Sequence, residues 1–215
     1  MAGGSGSRMS STLPKQFLLL KGKPVLMHSI EQFSRACREI DLVIVLPESH
    51  FKTWESLCDQ YHLDWPHRIV PGGATRFHSV QNALEFIDGT GLVAVHDAAR
   101  PLVSVTLILS AFECAEKRGN CIPVIPVHES LRQIECEQSS PVDRNRFRLV
   151  QTPQIFRAGL LKSAYCQPFR EQFTDDATVV ESFGEHINLI PGDPVNIKIT
   201  TPVDLEIAGL ILDRA

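Results

Sequence analysis

Strands alternating with amphipathic helices predict an α/β protein with a mostly parallel sheet covered by helices on both faces. Three observations carry the prediction. Short β-branched runs, each bounded by turn residues, stand at 42–46 (LVIVL), 67–70 (HRIV), 92–96 (LVAVH) and 121–127 (CIPVIPV). Segments with helical periodicity fill the gaps between them. The length, 215 residues, supplies one full core and demands no second domain, so 1–215 reads as a single domain.

The chain opens on a Gly/Ser-rich turn, MAGGSGSRMSSTLPKQ, whose backbone N–H groups can converge on an anion. No Gly-Lys-Ser/Thr follows, and Met9 stands where a dinucleotide fingerprint has its third glycine, so neither familiar phosphate loop applies. Over 24–37, Val25, Leu26, Ile30, Phe33 and Cys37 share one helical face. Further helices are expected at 49–61, after Thr75 as cap with Val80, Ala83, Leu84 and Ile87 buried, and at 104–118. From 128 to 150, polar and apolar residues alternate about a Ser-Ser-Pro turn without a full hydrophobic face. That pattern predicts a protruding β-hairpin arm, marginal alone and in need of a partner surface. INLIPG (187–192) and NIKIT (196–200) return the chain to the body, and a last helix starts with Thr201 as cap, Pro202 in its first turn and Asp204 near its positive end.

Composition narrows the function. A formal net charge of −4 gives no general polyanion signature, so nucleic acid is not an expected partner and phosphate chemistry must rest on local cations. The six cysteines, at 37, 58, 114, 121, 136 and 166, form no C-x-x-C pair, which argues against a zinc site or disulfide scaffold and fits a reducing cytoplasm. No stretch approaches the roughly 20 apolar residues of a membrane helix.

In VHDAARP (95–101), a strand ending in His-Asp places the Asp97 carboxylate at the carboxyl edge of the sheet, where α/β ligands usually sit and where it can hold magnesium. Arg8 and Lys15 supply a planar fork and a point charge beyond the glycines. Other residues read as structural. His96 is a packed strand-end residue without ligand-spaced companions, His28 and His78 lie on helices, and Asp175 and Asp176 match first-turn acids of a helix. Arg144 and Arg146 on the hairpin also suit solvated charges. Lys198, between Ile197 and Ile199, points away from both by alternation.

The ordered set AGGSGSRM, PKQ, GG-x-x-R-x-x-S-V (72–80), HDAARP, VDR (142–144), TPQ-x-F (152–156), TDD (174–176) and NIKIT resembles the 2-C-methyl-D-erythritol 4-phosphate cytidylyltransferase family of non-mevalonate isoprenoid synthesis. The resemblance runs from Ala2 to about Leu210. It implies a Rossmann-like three-layer nucleotidyltransferase fold, hairpin arms interlocked in a homodimer, magnesium, CTP and a polyol phosphate as substrates, and pyrophosphate as leaving group. By matched position, Ala2, Gly3, Gly4, Ser5 and Gly6 wrap the nucleotide, Gly73 and Ser79 read the base, and Asp97 lies near ribose and metal. Arg8 and Lys15 stabilise the transition state. Arg144 and Lys198 place the second substrate, with Arg100, Ser130 and Thr152 lining its pocket.

Three departures stand out. Ala74 and Thr75 follow the glycine pair where the family often has an acid, Ser130 replaces a threonine, and no apolar strand leads into the glycine loop. The missing strand would be central. Without it, two neighbours keep open edges and an apolar groove lies between the helix layers. The expectation is therefore that the natural protein begins upstream, with about six to eight apolar residues ahead of Ala2. A ribitol 5-phosphate cytidylyltransferase shares nearly all these motifs, and a nucleotide-binding regulatory protein without turnover is the alternative from another class.

Overall fold

The computed structural model describes Met1, Ala2 and residues 14–214. Gly3, Gly4, Ser5, Gly6 and Arg8, expected to contact the nucleotide, lie outside the described residues. Among those described, a small antiparallel pair, β1 (Leu19–Leu20) and β2 (Lys23–Pro24), leads into α1 (Val25–Ala36). β3 (Leu42–Leu46), α2 (Phe51–Gln60) and β4 (His67–Pro71) then form a β-α-β unit with β3 and β4 parallel. α3 (Arg76–Leu84), β5 (Leu92–Val95), α4 (Val105–Arg118) and β6 (Asn120–Pro126) follow.

Local chemistry accounts for these boundaries. α3 starts where the Thr75 hydroxyl accepts from the His78 amide, and α4 where that of Ser104 accepts from Leu107, each satisfying a first-turn donor that the helix cannot. α4 stops at Gly119, whose φ of 91° only glycine adopts freely. The buried face of α1 is the one its spacing predicts, with Val25, Leu26, Ile30 and Phe33 in the core.

Beyond β6 the segment 128–150 divides. β7 (Leu131–Glu135) and β8 (Gln138–Val142) pair as an antiparallel hairpin, while β9 (Arg148–Val150) rejoins the main sheet against β6. β10 (Gln154–Arg157) runs antiparallel between β5 and β6. α5 (Ala158–Ala164) and α6 (Asp176–Ser182) then lead to β11 (Leu189–Pro191), parallel to β6, and the chain ends in α7 (Pro202–Leu212), opened by a Thr201–Asp204 capping box. The main sheet has the order β11-β6-β10-β5, with β9 also on β6. The α/β class is as predicted, but the pairing is mixed and not mostly parallel. The β-α-β rule covers the first half of the chain, and the return from the hairpin inserts β10 in the opposite sense.

β3 pairs with β4, and β5 with β10, but β3 and β5 do not pair with each other. Met1 and Ala2 bridge their carboxyl ends. The Ala2 amide donates to Val45 O at 3.0 Å, the Met1 ammonium to His96 O at 2.5 Å, and the Ala98 amide to Met1 O at 3.0 Å. Beside this bridge a groove of about 1370 Å³ runs between the two strands, lined by Leu42, Ile44, Val93 and Val95 from the strands and by Ile30 and Leu84 from α1 and α3. Open edges and an apolar groove are what the strand pattern leads one to expect.

Candidate active site

A pocket of about 440 Å³ opens where β5 gives way to Asp97, where the Gly72-Gly73 turn follows β4, and where Lys15 and Lys198 approach from the two ends of the chain. Ala2 forms part of its wall. Its carbonyl accepts from the buried Gln16 side chain at 2.8 Å, so the residues flanking the glycine loop on either side are tied together beside Lys15.

Asp97 is the electrostatic centre. Lys198 Nζ lies 2.8 Å from Oδ2, Arg100 Nε 3.8 Å from the same oxygen, and Arg76 Nε 3.9 Å from Oδ1. Burial alone would raise this carboxyl, but the charges of Lys198 and Arg76 outweigh it and hold Asp97 well below the usual carboxylate range. It is an anion at any working pH.

The Asp97 backbone is fixed from the opposite side. Its amide donates to Thr152 Oγ1 at 3.1 Å, and that oxygen lies 3.0 Å from His96 Nδ1, while His96 Nε2 lies 3.1 Å from Arg100 O. A carbonyl only accepts, so Nε2 carries the proton and Nδ1 accepts from the threonine hydroxyl. The chain of bonds closes with a neutral imidazole, and burial pushes the His96 value down to about 3.

The wall formed by α3 is backbone-built. The Gly73 amide donates to Ser79 Oγ at 3.0 Å, and that hydroxyl donates to Thr75 O at 2.9 Å. A Cβ on Gly73 would stand 2.4 Å from His78 Cβ and 2.9 Å from its carbonyl carbon, so no other residue fits this turn.

Lys15, Gly73, Ser79, Asp97 and Lys198 therefore share one pocket with Ala2. Arg100 and Thr152 lie behind it. The Arg100 fork donates to Asn196 O and Val150 O, and the Thr152 hydroxyl is engaged by Asp97 and His96. Ser130 and Arg144 are exposed on the hairpin segment and do not line the pocket of their own chain; Arg144 is turned onto His128 O. His28 and His78 bond to Leu20 O and Thr75 Oγ1, structural contacts as expected.

One reading needs extension. Asp175 is the cap of α6, accepting from Thr178, and Asp176 is the first-turn acid expected there, but it is also fully buried and grips the Arg76 fork at 2.9 and 2.6 Å. Tyr165 OH donates to the same carboxylate at 2.7 Å. Arg76 and Asp176 lie a hundred positions apart, so no local pattern announces the pair; GG-x-x-R-x-x-S-V and TDD each mark one partner without joining them.

Comparison with known proteins identifies the family. The family model for 2-C-methyl-D-erythritol 4-phosphate cytidylyltransferase (IspD) matches residues 1–214. The chain is similar to the enzymes of that name from Phocaeicola vulgatus, 47% identical over 212 residues covering 99% of this chain and 97% of the relative, and from Bacteroides fragilis, 48% identical with the same coverage. Among solved structures it resembles the Thermus thermophilus 2-C-methyl-D-erythritol 4-phosphate cytidylyltransferase (TM-score 0.77, 32% identity, 100% of this chain and 96% of that one). It also resembles the Anaerococcus prevotii 4-diphosphocytidyl-2C-methyl-D-erythritol synthase (TM-score 0.83, 27% identity, 99% and 93%).

Proposed function

The chain belongs to the 2-C-methyl-D-erythritol 4-phosphate cytidylyltransferase family, which transfers the cytidylyl group of CTP to that polyol phosphate in isoprenoid precursor synthesis, and we propose how its residues divide the work. The observation that carries the reading is one carboxylate, Asp97, ringed by cations at a pocket that Lys15 also lines.

In the reaction a phosphate oxygen of the polyol attacks the α-phosphorus, a new P–O bond forms, the bond to the bridging oxygen of the β-phosphate breaks, and pyrophosphate leaves. The attacking phosphate is already ionised, so no general base is required. The difficulty is bringing two polyanions together in line, and fixed cations meet it. Lys15 and Arg8 face the charge developing at the α-phosphate and the leaving oxygen. The glycine loop from Ala2 to Gly6 offers backbone donors to the triphosphate, and Gly73 and Ser79 face the base. Lys198 takes the phosphate of the second substrate, with Arg144 and Ser130 brought in on the arm. Arg100 and Thr152 act from behind, through Asp97.

The donor chemistry at Asp97 suits magnesium, which ordinarily takes one or two carboxylates and completes its shell with phosphates and water. Among the described residues no cluster of three or more His, Cys, Asp or Glu competes as a metal site. When bound, the ion would neutralise triphosphate charge.

The arm supports a homodimer. Ile134 is 67% exposed, and Phe147, Leu149 and Val150 are exposed with it, apolar surface that a twofold-related copy would cover. No described helix is long and apolar enough to cross a membrane, and six free thiols suit a reducing cytoplasm.

A pyrophosphate-release assay crossing methylerythritol phosphate and ribitol 5-phosphate with four nucleoside triphosphates tests the reading. Turnover is expected with CTP and methylerythritol phosphate. Turnover with ribitol 5-phosphate alone would overturn the substrate assignment.

A further inference from the structure

We propose that Tyr165, Asp176 and Arg76 form a positioning chain that fixes the Asp97 carboxylate from outside the pocket. The inference rests on the reading of Asp97 given above and adds residues that reading does not use.

The geometry is specific. Asp176 is completely buried, and its two oxygens take three donors: Arg76 Nη1, Arg76 Nη2 and Tyr165 OH. The phenol is itself held, its ring stacked on Phe77 with centroids 4.7 Å apart, and burial keeps its hydroxyl protonated by pushing its value upward. With a bidentate grip on its terminal nitrogens, the Arg76 guanidinium has one orientation, and that orientation turns Nε towards Asp97 Oδ1. Burial works against the Arg76 cation, but the charge of Asp176 outweighs it and keeps the group ionised.

Arg100 mirrors the arrangement on the other side. Its fork is occupied by the carbonyls of Asn196 and Val150, and its Nε, buried and without a hydrogen-bond partner, lies 3.8 Å from Asp97 Oδ2. Asp97 thus stands between two N–H groups whose arginines cannot swing away. Lys198, whose side chain is 42% exposed against 13% for Asp97, is the cation free to exchange partners. When Lys198 turns to a substrate phosphate, the two Nε groups keep the carboxylate ionised and aimed. Tyr165 and Asp176 touch no substrate; they act through Arg76.

A structural role and a positioning role separate in a double variant. Asp176→Asn alone leaves the Arg76 cation buried without its counter-charge and is expected to lower both Tm and kcat, the latter more than tenfold. In the double variant Arg76→Gln with Asp176→Asn, two neutral amides face each other, so Tm should return towards wild type while kcat stays down about tenfold or more and KM for methylerythritol phosphate changes less than about threefold. Should the double variant fold poorly, Tyr165→Phe keeps the stacked ring and removes one bond to Asp176. It is expected to lower kcat about threefold with KM for CTP within about twofold. Recovery of kcat together with Tm in the double variant, or an unchanged kcat in Tyr165→Phe, would overturn the proposal. Since every variant is measured against the wild-type rate with CTP, failure of the reaction assignment shows in the wild type and failure of this inference only in the variants.

Discussion

Lys198 Nζ and Asp97 Oδ2 lie 2.8 Å apart, so the more exposed cation and the buried anion of the pocket form an ion pair. An incoming phosphate must compete for the lysine. Lys198→Met removes that cation while keeping the stem, and steady-state kinetics should show kcat/KM for methylerythritol phosphate down about 10²–10³-fold, or roughly 3–4 kcal/mol. Asp97 keeps Arg76 and Arg100 beside it, so the fold should survive. A variant within about threefold of wild type would remove Lys198 from the site.

His96 makes the protein sensitive to mild acid. Its folded value, about 3, lies below the ordinary 6.5, so between these limits the unfolded chain binds a proton that the folded chain refuses. Stability therefore falls as pH falls through this window, at up to about 1.4 kcal/mol per pH unit for one such group. The contribution of Asp97 has the same sign but begins only below its ordinary value of 3.8. Urea unfolding of wild type and His96→Gln between pH 4.5 and 6 should give a shallower slope for the variant. Equal slopes would mean that the imidazole is not held neutral.

What the sequence discloses and what it hides follow from the range of the interactions. α1, α3 and α4 are legible because their apolar faces, and for α3 and α4 their caps, lie within one segment, and short motifs mark Asp97, Gly73 and Lys15. The motif NIKIT marks Lys198, while alternation says only that it points away from its neighbours, as it does from the buried Ile199, although NIKIT forms no regular strand. β10 is not legible, because its first residue is a buried glutamine whose partners, Asp175 and the Ala177 amide, lie some twenty residues on. The Arg76–Asp176 pair is hidden for the same reason at greater distance, and the alternation over 128–150 does not disclose that β9 leaves the hairpin for β6.

The groove between β3 and β5 should accept a strand. Adding about seven β-branched apolar residues directly ahead of Met1 would give both edges a partner and fill apolar volume. It would also replace the Met1 ammonium, whose value burial lowers from 8.0 to about 6, by an amide. The lowered value makes stability rise with pH between 6 and 8, because the unfolded chain is the one that holds the proton there. The extended protein should lose that dependence, gain about 5 °C or more in Tm, and protect the β3 and β5 amides from exchange. An extension that leaves Tm and exchange unchanged would show that the groove does not take a strand.

Arg144 tests the dimer because its own pocket does not include it. If the arm docks on a twofold-related copy, Arg144 serves the neighbour's site while Lys15 serves its own. Arg144→Ala and Lys15→Ala chains should each be nearly inactive alone. In a mixed dimer one site combines an intact Lys15 with an intact Arg144 from the other chain, and its counterpart lacks both. Random exchange of equal amounts makes half the dimers mixed, each with one good site, so about a quarter of wild-type activity should return after co-refolding. Exposed Phe147 and Leu149 on the same segment imply that the exchange requires the arms to separate, so simple mixing should recover activity more slowly than co-refolding. An active monomer by sedimentation at assay concentration, or no recovery from a mixture shown to contain mixed dimers, would place Arg144 outside the reaction.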